Sequence, residues 1–326
     1  MTELVSLDII RDAARRIRDV AVVTPLLEVR DDPAERARRT GLLLKCENLQ
    51  ASGAFKIRGA YNMVAQLSPE ERERGVITYS SGNHGLALAL AARLLGAPAV
   101  IVMPTKASPV KVDGARRFGA EVLFEGTTTL ERKARAEVEA KARGLTIVPP
   151  FDHEWIIAGQ GTMGLEILAQ CPTLAAVYVQ MSGGGLISGV SAAIKQSKPS
   201  VRIIGVEAAG AARMTASLKA GRPVTLEKVS GVADGLLAVR PGDLTFAHVK
   251  AFVDEVVTVD DAGILDALRW LFERAKLVVE PSGAITVAAA LKRAPEGDGP
   301  DHPTVAVLSG GNVAAGDYAR YLTGSE

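Results

Sequence analysis

Cysteine is nearly absent. The 326 residues hold two, Cys46 and Cys171, which form neither a disulfide framework nor a thiolate metal pattern. Cys46 lies in the apolar run "LLLKCENL" and reads as a small buried side chain. Histidine is also scarce. His84, His153, His248 and His302 are scattered, and "HEWII" lacks the second histidine of a zinc helix, so no metal site is expected. Aromatic residues make up only 4%, which argues against a base-stacking surface. A net charge of +1 gives no field that would draw the chain to nucleic acid or to a membrane surface. No run approaches the roughly 18 apolar residues of a membrane span. The start, "MTELVSLDIIRDAARRIRDV", breaks its apolar positions with charges, unlike a signal peptide. A soluble, cytoplasmic protein without nucleic-acid or membrane partners is expected. G-x-S-x-G and GxxxxGK[ST] are missing too, which removes the hydrolase elbow and the nucleotide P-loop.

What the chain does contain is alternation. After a first helix capped by Ser6, short runs rich in valine and isoleucine occur at 42–46, 76–80, 99–103, 121–124, 145–148, 176–181, 202–207 and 304–309. Helical patterns fall between them at 84–95, 108–118, 128–143, 156–170, 186–197, 261–276 and 282–293. Strand and helix in repetition predict an α/β protein with mostly parallel sheet covered on both faces. Ligands then belong at the carboxyl ends of the strands. Two stretches, 221–245 and 294–303, read as surface loops.

Three strand ends carry candidate chemistry, and two further stretches have to be weighed beside them. In "VYVQMSGGGLISGVSAAIKQ" (177–196), a strand runs through Ser182, Gly183, Gly184 and Gly185 into a helix starting near Leu186. Backbone N–H groups converge there on the positive end of the helix dipole, a setting for phosphate. In "YSSGNHGLALALAARLLG" (79–96), Ser80, Ser81, Asn83 and His84 gather before a helix start suited to a carboxylate. "TVAVLSGGN" (304–312) delivers Ser309, with no acid at that strand end. "GQGTMG" (159–164) matches G-x-G-x-x-G formally, but a helical pattern runs through it and no ribose-binding acid follows. Finally, "SGAFKIRGA" (52–60) sets Lys56 among small and apolar neighbours, where desolvation lowers an amine's pKa. Phosphate cradle, carboxylate loop and depressed lysine together describe pyridoxal 5′-phosphate chemistry.

Here the sequence resembles the fold-type II pyridoxal-phosphate enzymes (tryptophan synthase beta-like), specifically the threonine/serine dehydratase and serine racemase group. "KCENLQASGAFKIRGA" (45–60), "SSGNHG" (80–85), "IIAGQGTMGLEI" (156–167), "SGGGLISG" (182–189), "VVEPSGA" (278–284) and "LSGGN" (308–312) occur in the family's order. The resemblance implies two domains, each a mostly parallel sheet flanked by helices: a large cofactor-binding domain of 1–72 and 150–326, with a small domain, 73–149, inserted. It implies that Lys56 bonds the cofactor and later acts as base, and that Phe55 lies beside the ring. It further implies that Asn83 contacts the 3′-oxygen, Ser182 to Leu186 wrap the phosphate, and Ser309 faces the ring nitrogen. Ser80, Ser81, Asn83 and His84 would take the substrate carboxylate with help from Arg132. Ser81 would stand opposite Lys56, where racemases return the proton.

A neutral serine cannot hold the ring nitrogen protonated as a carboxylate would, which disfavours transamination and suits β-elimination. The implied activity is threonine/serine ammonia-lyase: a β-hydroxy amino acid loses water and yields a 2-oxo acid and ammonia. Serine racemase is the alternative, and a catalytically silent cofactor-binding or interaction protein is a third reading. The resemblance also implies a homodimer; members of the group often bind a divalent cation near the strand that here ends at Glu207, but none is expected in this chain. Arg213 stands where other members carry an aspartate, so the expectation is that Arg213 supplies the charge itself and pairs with Glu207. The apolar loop 231–243 favours the dehydratase, and the chain's end after Ser309 is read as leaving no room for a regulatory domain.

Overall fold

The computed structural model describes residues 3–29, 41–80, 82–107, 109–292 and 303–324. Ser81, His302 and nearly all of the expected loop 294–303 lie outside them. Two sheets organise the chain. One has six strands in the order β1 (Leu26–Glu28), β2 (Leu42–Cys46), β10 (Thr304–Leu308), β7 (Ala176–Gln180), β8 (Arg202–Ala208) and β9 (Glu255–Val259). All its pairings are parallel except that of β1 with β2. The other is fully parallel, in the order β5 (Glu121–Phe124), β4 (Ala99–Met103), β3 (Val76–Thr78) and β6 (Thr146–Ile147). Every strand of the second sheet therefore comes from the stretch between β2 and β7.

The runs that read as continuously apolar are buried on both faces, as central parallel strands must be. Val305 and Val307 point to one side with Val177, Val179 and Ile203, against Met163, Ile167, Val190 and Ile194. Those partners belong to helices α7 (Glu154–Gln170) and α8 (Gly185–Ser197). Ala306 and Leu308 point to the other with Ile204 and Val206, against Leu268 and Ile285. Those two lie on α11 (Asp261–Trp270) and α12 (Pro281–Lys292). In the small sheet, Val76, Ile101 and Met103 meet Leu88 of α4 (Asn83–Leu95) and Val112 of α5 (Pro109–Arg117). Ile77, Val100 and Val102 face Ala136 and Ala140 of α6 (Thr129–Arg143).

"GQGTMG" is helical, inside α7, and its glycines are packing devices. A Cβ on Gly159 would lie 2.5 Å from the Arg58 carbonyl oxygen, on α2 (Ile57–Val64). One on Gly164 would lie 2.8 Å from Ala193 Cβ, on α8. Cys46 is fully buried, and burial pushes its thiol up to about 12, in line with an inert core position. The loop expected over 221–245 ends earlier, because α10 (Asp243–Phe252) begins inside it, its first N–H groups bonded to the Asp152 carboxylate.

Candidate active site

Lys56 is the N-cap residue of α2, and two sets of contacts fix it. Behind it, the Arg58 guanidinium bridges Glu47 at 2.8 Å and Glu166 at 2.6 Å, while Lys45 reaches Glu166 at 2.7 Å. Two cations and two carboxylates thus balance in a mostly buried cluster that binds α2 to α7. In front of it, the turn 51–55 is stitched to the loop after β10. Phe55 N donates to the Ser309 carbonyl at 3.0 Å, Gly311 N to the Gly53 carbonyl at 2.9 Å, and Asn312 Nδ2 to the Ser52 carbonyl at 2.8 Å. Gly53 has φ +74°, and a Cβ there would sit 2.3 Å from Asn312 Oδ1, so both conformation and space demand glycine.

The Lys56 amine donates to the Pro150 carbonyl at 2.5 Å and lies 5.1 Å from the centre of the Phe55 ring. No carboxylate pairs with it among the described residues. Desolvation with nothing to offset it pulls the amine down to about 8. Val148, two residues before Pro150, holds His84: Nε2 is 3.1 Å from the Val148 carbonyl. A carbonyl only accepts, so Nε2 carries the hydrogen. Burial, with Lys56 nearby, lowers His84 to about 3 and keeps it neutral.

Asn83, the first residue of α4, is clamped from two sides. Its Nδ2 donates to Glu280 Oε1 at 2.6 Å, and its Oδ1 accepts from Asn312 Nδ2 at 2.9 Å. Glu280 is almost wholly buried, and desolvation above all raises its carboxyl to about 8. No side chain caps α4, and Ser80 Oγ accepts from Gly82 N at 3.3 Å beside that helix start. Ser309 is buried at the end of β10.

The glycine loop lies after β7. Gly184, with φ +101°, is the N-cap of α8, and no side chain caps that helix start. Gly183 and Gly185 are small for a different reason from the one their run suggests. A Cβ on Gly183 would meet the Phe151 ring at 2.3 Å, and one on Gly185 would meet Phe151 at 2.9 Å. Thr245 Oγ1 donates to the Gly183 carbonyl at 2.6 Å and braces the loop from α10.

Most of the expected site residues are thus linked by direct bonds or short chain segments: Phe55, Lys56, Asn83, His84 and Ser309 around the amine, and Ser182 to Leu186 at the α8 start. Ser81 lies outside the described residues. Arg132 is buried, but it bonds the Thr127 carbonyl at 3.3 Å and Thr129 Oγ1 at 3.0 Å. None of its hydrogen bonds reaches Ser80, Asn83 or His84. Reasoning from sequence missed Glu280, Asn312, Pro150 and Phe151. "VVEPSGA" and "LSGGN" held two of them in plain view, and a buried glutamate beside a proline was the available signal.

A partly buried amine drawn down to about 8, next to an aromatic face and an uncapped glycine-loop helix start, fits an aldehyde that carries a phosphate. A divalent cation at Glu207 does not fit. Both Glu207 oxygens are taken by Met214 N, Thr215 N and Thr215 Oγ1, each at 2.8 Å. The Ala211 carbonyl accepts from Arg213 Nε at 2.8 Å.

Among relatives, the chain is 44% identical to the L-threonine ammonia-lyase of Thermotoga maritima over 312 residues, covering 95% of this chain and 76% of that one. It is 41% identical to serine racemase of Oryza sativa subsp. indica over 310 residues, covering 94% and 91%. The structure of maize serine racemase superposes with a TM-score of 0.91 at 38% identity, covering 98% of this chain and 97% of that one. A single family model, described as pyridoxal-phosphate dependent enzyme, spans residues 17–310, and to that family this chain belongs.

Proposed function

We propose that the chain is a threonine/serine ammonia-lyase that removes water from a β-hydroxy amino acid and releases a 2-oxo acid and ammonia. The observation that carries this reading is the Lys56 amine, half-buried, unpaired with any described carboxylate and lowered to about 8. Lys56 would hold the cofactor, the loop from Ser182 to Leu186 its phosphate, Phe55 and Asn83 its ring, and Ser309 the ring nitrogen. When bound, the cofactor supplies an electron sink conjugated to the substrate's Cα.

The rest is done by the chain. The uncapped first turn of α4, with Ser80, offers donors to the substrate carboxylate. Lys56 Nζ takes the α-proton, and the Pro150 carbonyl orients the amine for it. Neutral His84 adds no positive charge beside Lys56, so the amine stays basic enough to accept. Glu280, largely protonated at neutral pH, keeps Asn83 in one orientation without adding a buried anion. Ser309 leaves the ring nitrogen without a carboxylate, which favours elimination over transamination.

Residues 1–72 and 150–326 are read as the large domain and 73–149 as the small one. Support comes from the second sheet, whose strands all fall between 76 and 147. A homodimer follows from the family resemblance, and the cytoplasmic location expected from the sequence is kept as part of this reading; among the described residues no helix is long and apolar enough to cross a membrane. Ser81 keeps racemisation as the second reading, supported by the serine racemase relatives.

A panel of β-hydroxy amino acids tests the reading. L-threonine and L-serine should release 2-oxo acid and ammonia, and Lys56→Ala should cut the rate about 10²–10⁴-fold. Borohydride reduction should tag the peptide bearing residue 56. D-serine outpacing pyruvate would favour the racemase. An untagged peptide without a visible absorption band would leave only a silent protein.

A further inference from the structure

The second fully buried arginine sits where electrostatics argue against one. Arg213 opens α9 (Arg213–Ala220), and a cation at a helix N-terminus opposes the helix dipole. It also bears the full desolvation cost, which draws the guanidinium down to about 10. Glu207 offsets this only in part. Its nearest oxygen is 3.9 Å from Arg213 Nε, and both its oxygens are spent on the backbone and hydroxyl of α9.

The guanidinium's own bonds point elsewhere. Nε and Nη2 grip the Ala211 carbonyl, and Nη1 donates to Ser182 Oγ at 3.1 Å. Ser182 opens the glycine loop. The next residue of α9 continues the contact, since Met214 would lie 3.3 Å from a Cβ on Gly184. The start of α9 therefore packs against the back of the uncapped α8 start, with a positive charge on the serine that leads into it.

We propose that Arg213 is a positioning residue for phosphate: its buried guanidinium fixes Ser182 and places a permanent positive charge behind the glycine loop. The loop then accepts a phosphate with no metal ion bound at Glu207. This rests on the cofactor reading above.

The test compares two ligands on the full chain freed of cofactor, pyridoxal 5′-phosphate and pyridoxal, which differ only in the phosphate. Absorbance titration gives both affinities for wild type, Arg213→Met and Ser182→Ala, with and without magnesium. Arg213→Met should weaken pyridoxal 5′-phosphate by about tenfold or more while pyridoxal binding moves less than about twofold. Combined with Ser182→Ala, the losses should fall short of additive. If Arg213→Met does not fold, Arg213→Gln, which keeps a donor for Ala211, carries the same comparison. Equal weakening of both ligands, or none, overturns the proposal, and so does a magnesium-dependent ratio in wild type. Wild type binding neither ligand would bring down the cofactor reading and this proposal with it.

Discussion

Glu280, Asn83 and Asn312 form a chain of side chains in which the two amides have fixed orientations and the carboxyl ionises late. The sign of its effect on stability follows from the two ends of its titration. An ordinary glutamate loses its proton near 4.5, whereas desolvation delays this one to about 8. Between those values the unfolded chain binds fewer protons than the folded one, so stability falls as pH rises, and above about 8 the cost is complete. Glu280→Gln removes this slope. Denaturant melts of the two proteins should diverge from pH 4.5 upward, the variant gaining, and run parallel above about pH 8. At this scale the sequence was legible wherever the chemistry is local. Lys56, the glycine run and the Ser80–His84 loop announce themselves within a few residues. Pairings between distant positions do not, which is why the Pro150 acceptor, 94 residues from Lys56, went unseen.

Strands were legible as short apolar runs, whereas the almost wholly buried α2, with Arg58 and Asn62 among its residues, showed no such pattern. The five-residue runs at 42–46 and 99–103 coincide with β2 and β4; β4 is apolar throughout, as a strand covered on both faces should be, while β2 interrupts its run with Lys45, paired to Glu166. β9 escaped notice: its residues Glu255–Val259 form a half-exposed edge, and "EVVTV" carries its polar positions outward. The glycines inside α7 mislead for the opposite reason. They imitate a dinucleotide fingerprint while serving close helix contact. Gly159→Ala should therefore cost about 1–3 kcal/mol, since the new Cβ would meet backbone at 2.5 Å, on the carbonyl oxygen of Arg58. Gly316→Ala, in α13 (Ala315–Thr323) with open space around it, should stabilise by about 0.5–1 kcal/mol. Urea midpoints measured side by side would separate the two.

For the molecule as a whole, alternation predicted the class but not the strand order, because β2 pairs with β10 across more than 250 residues. Nor did composition mark where the second sheet begins. One ion pair joins the two sheets' surroundings near the α4 start: Lys111 on α5 reaches Asp234 at 2.5 Å. Lys111 Nζ would also lie 3.7 Å from a Cβ on Gly82. A pair with Asp234 57% exposed contributes little to stability. Lys111→Ala should shift unfolding by less than about 1 kcal/mol. Its effect should appear in KM for the amino acid, with kcat less altered, because it borders the carboxylate loop. Steady-state kinetics alongside thermal melts would check both halves.

The chain leaves the small sheet through Val148, Pro149 and Pro150, and neither proline has a hydrogen to donate. Val148 N is spent on the Ile77 carbonyl, so beyond it the exit path offers only acceptors, the Val148 carbonyl steadying an imidazole and the Pro150 carbonyl an amine. Any displacement of this segment would move together the carbonyl that holds His84 and the one that holds the Lys56 amine, so the base and its neutral neighbour share one tether.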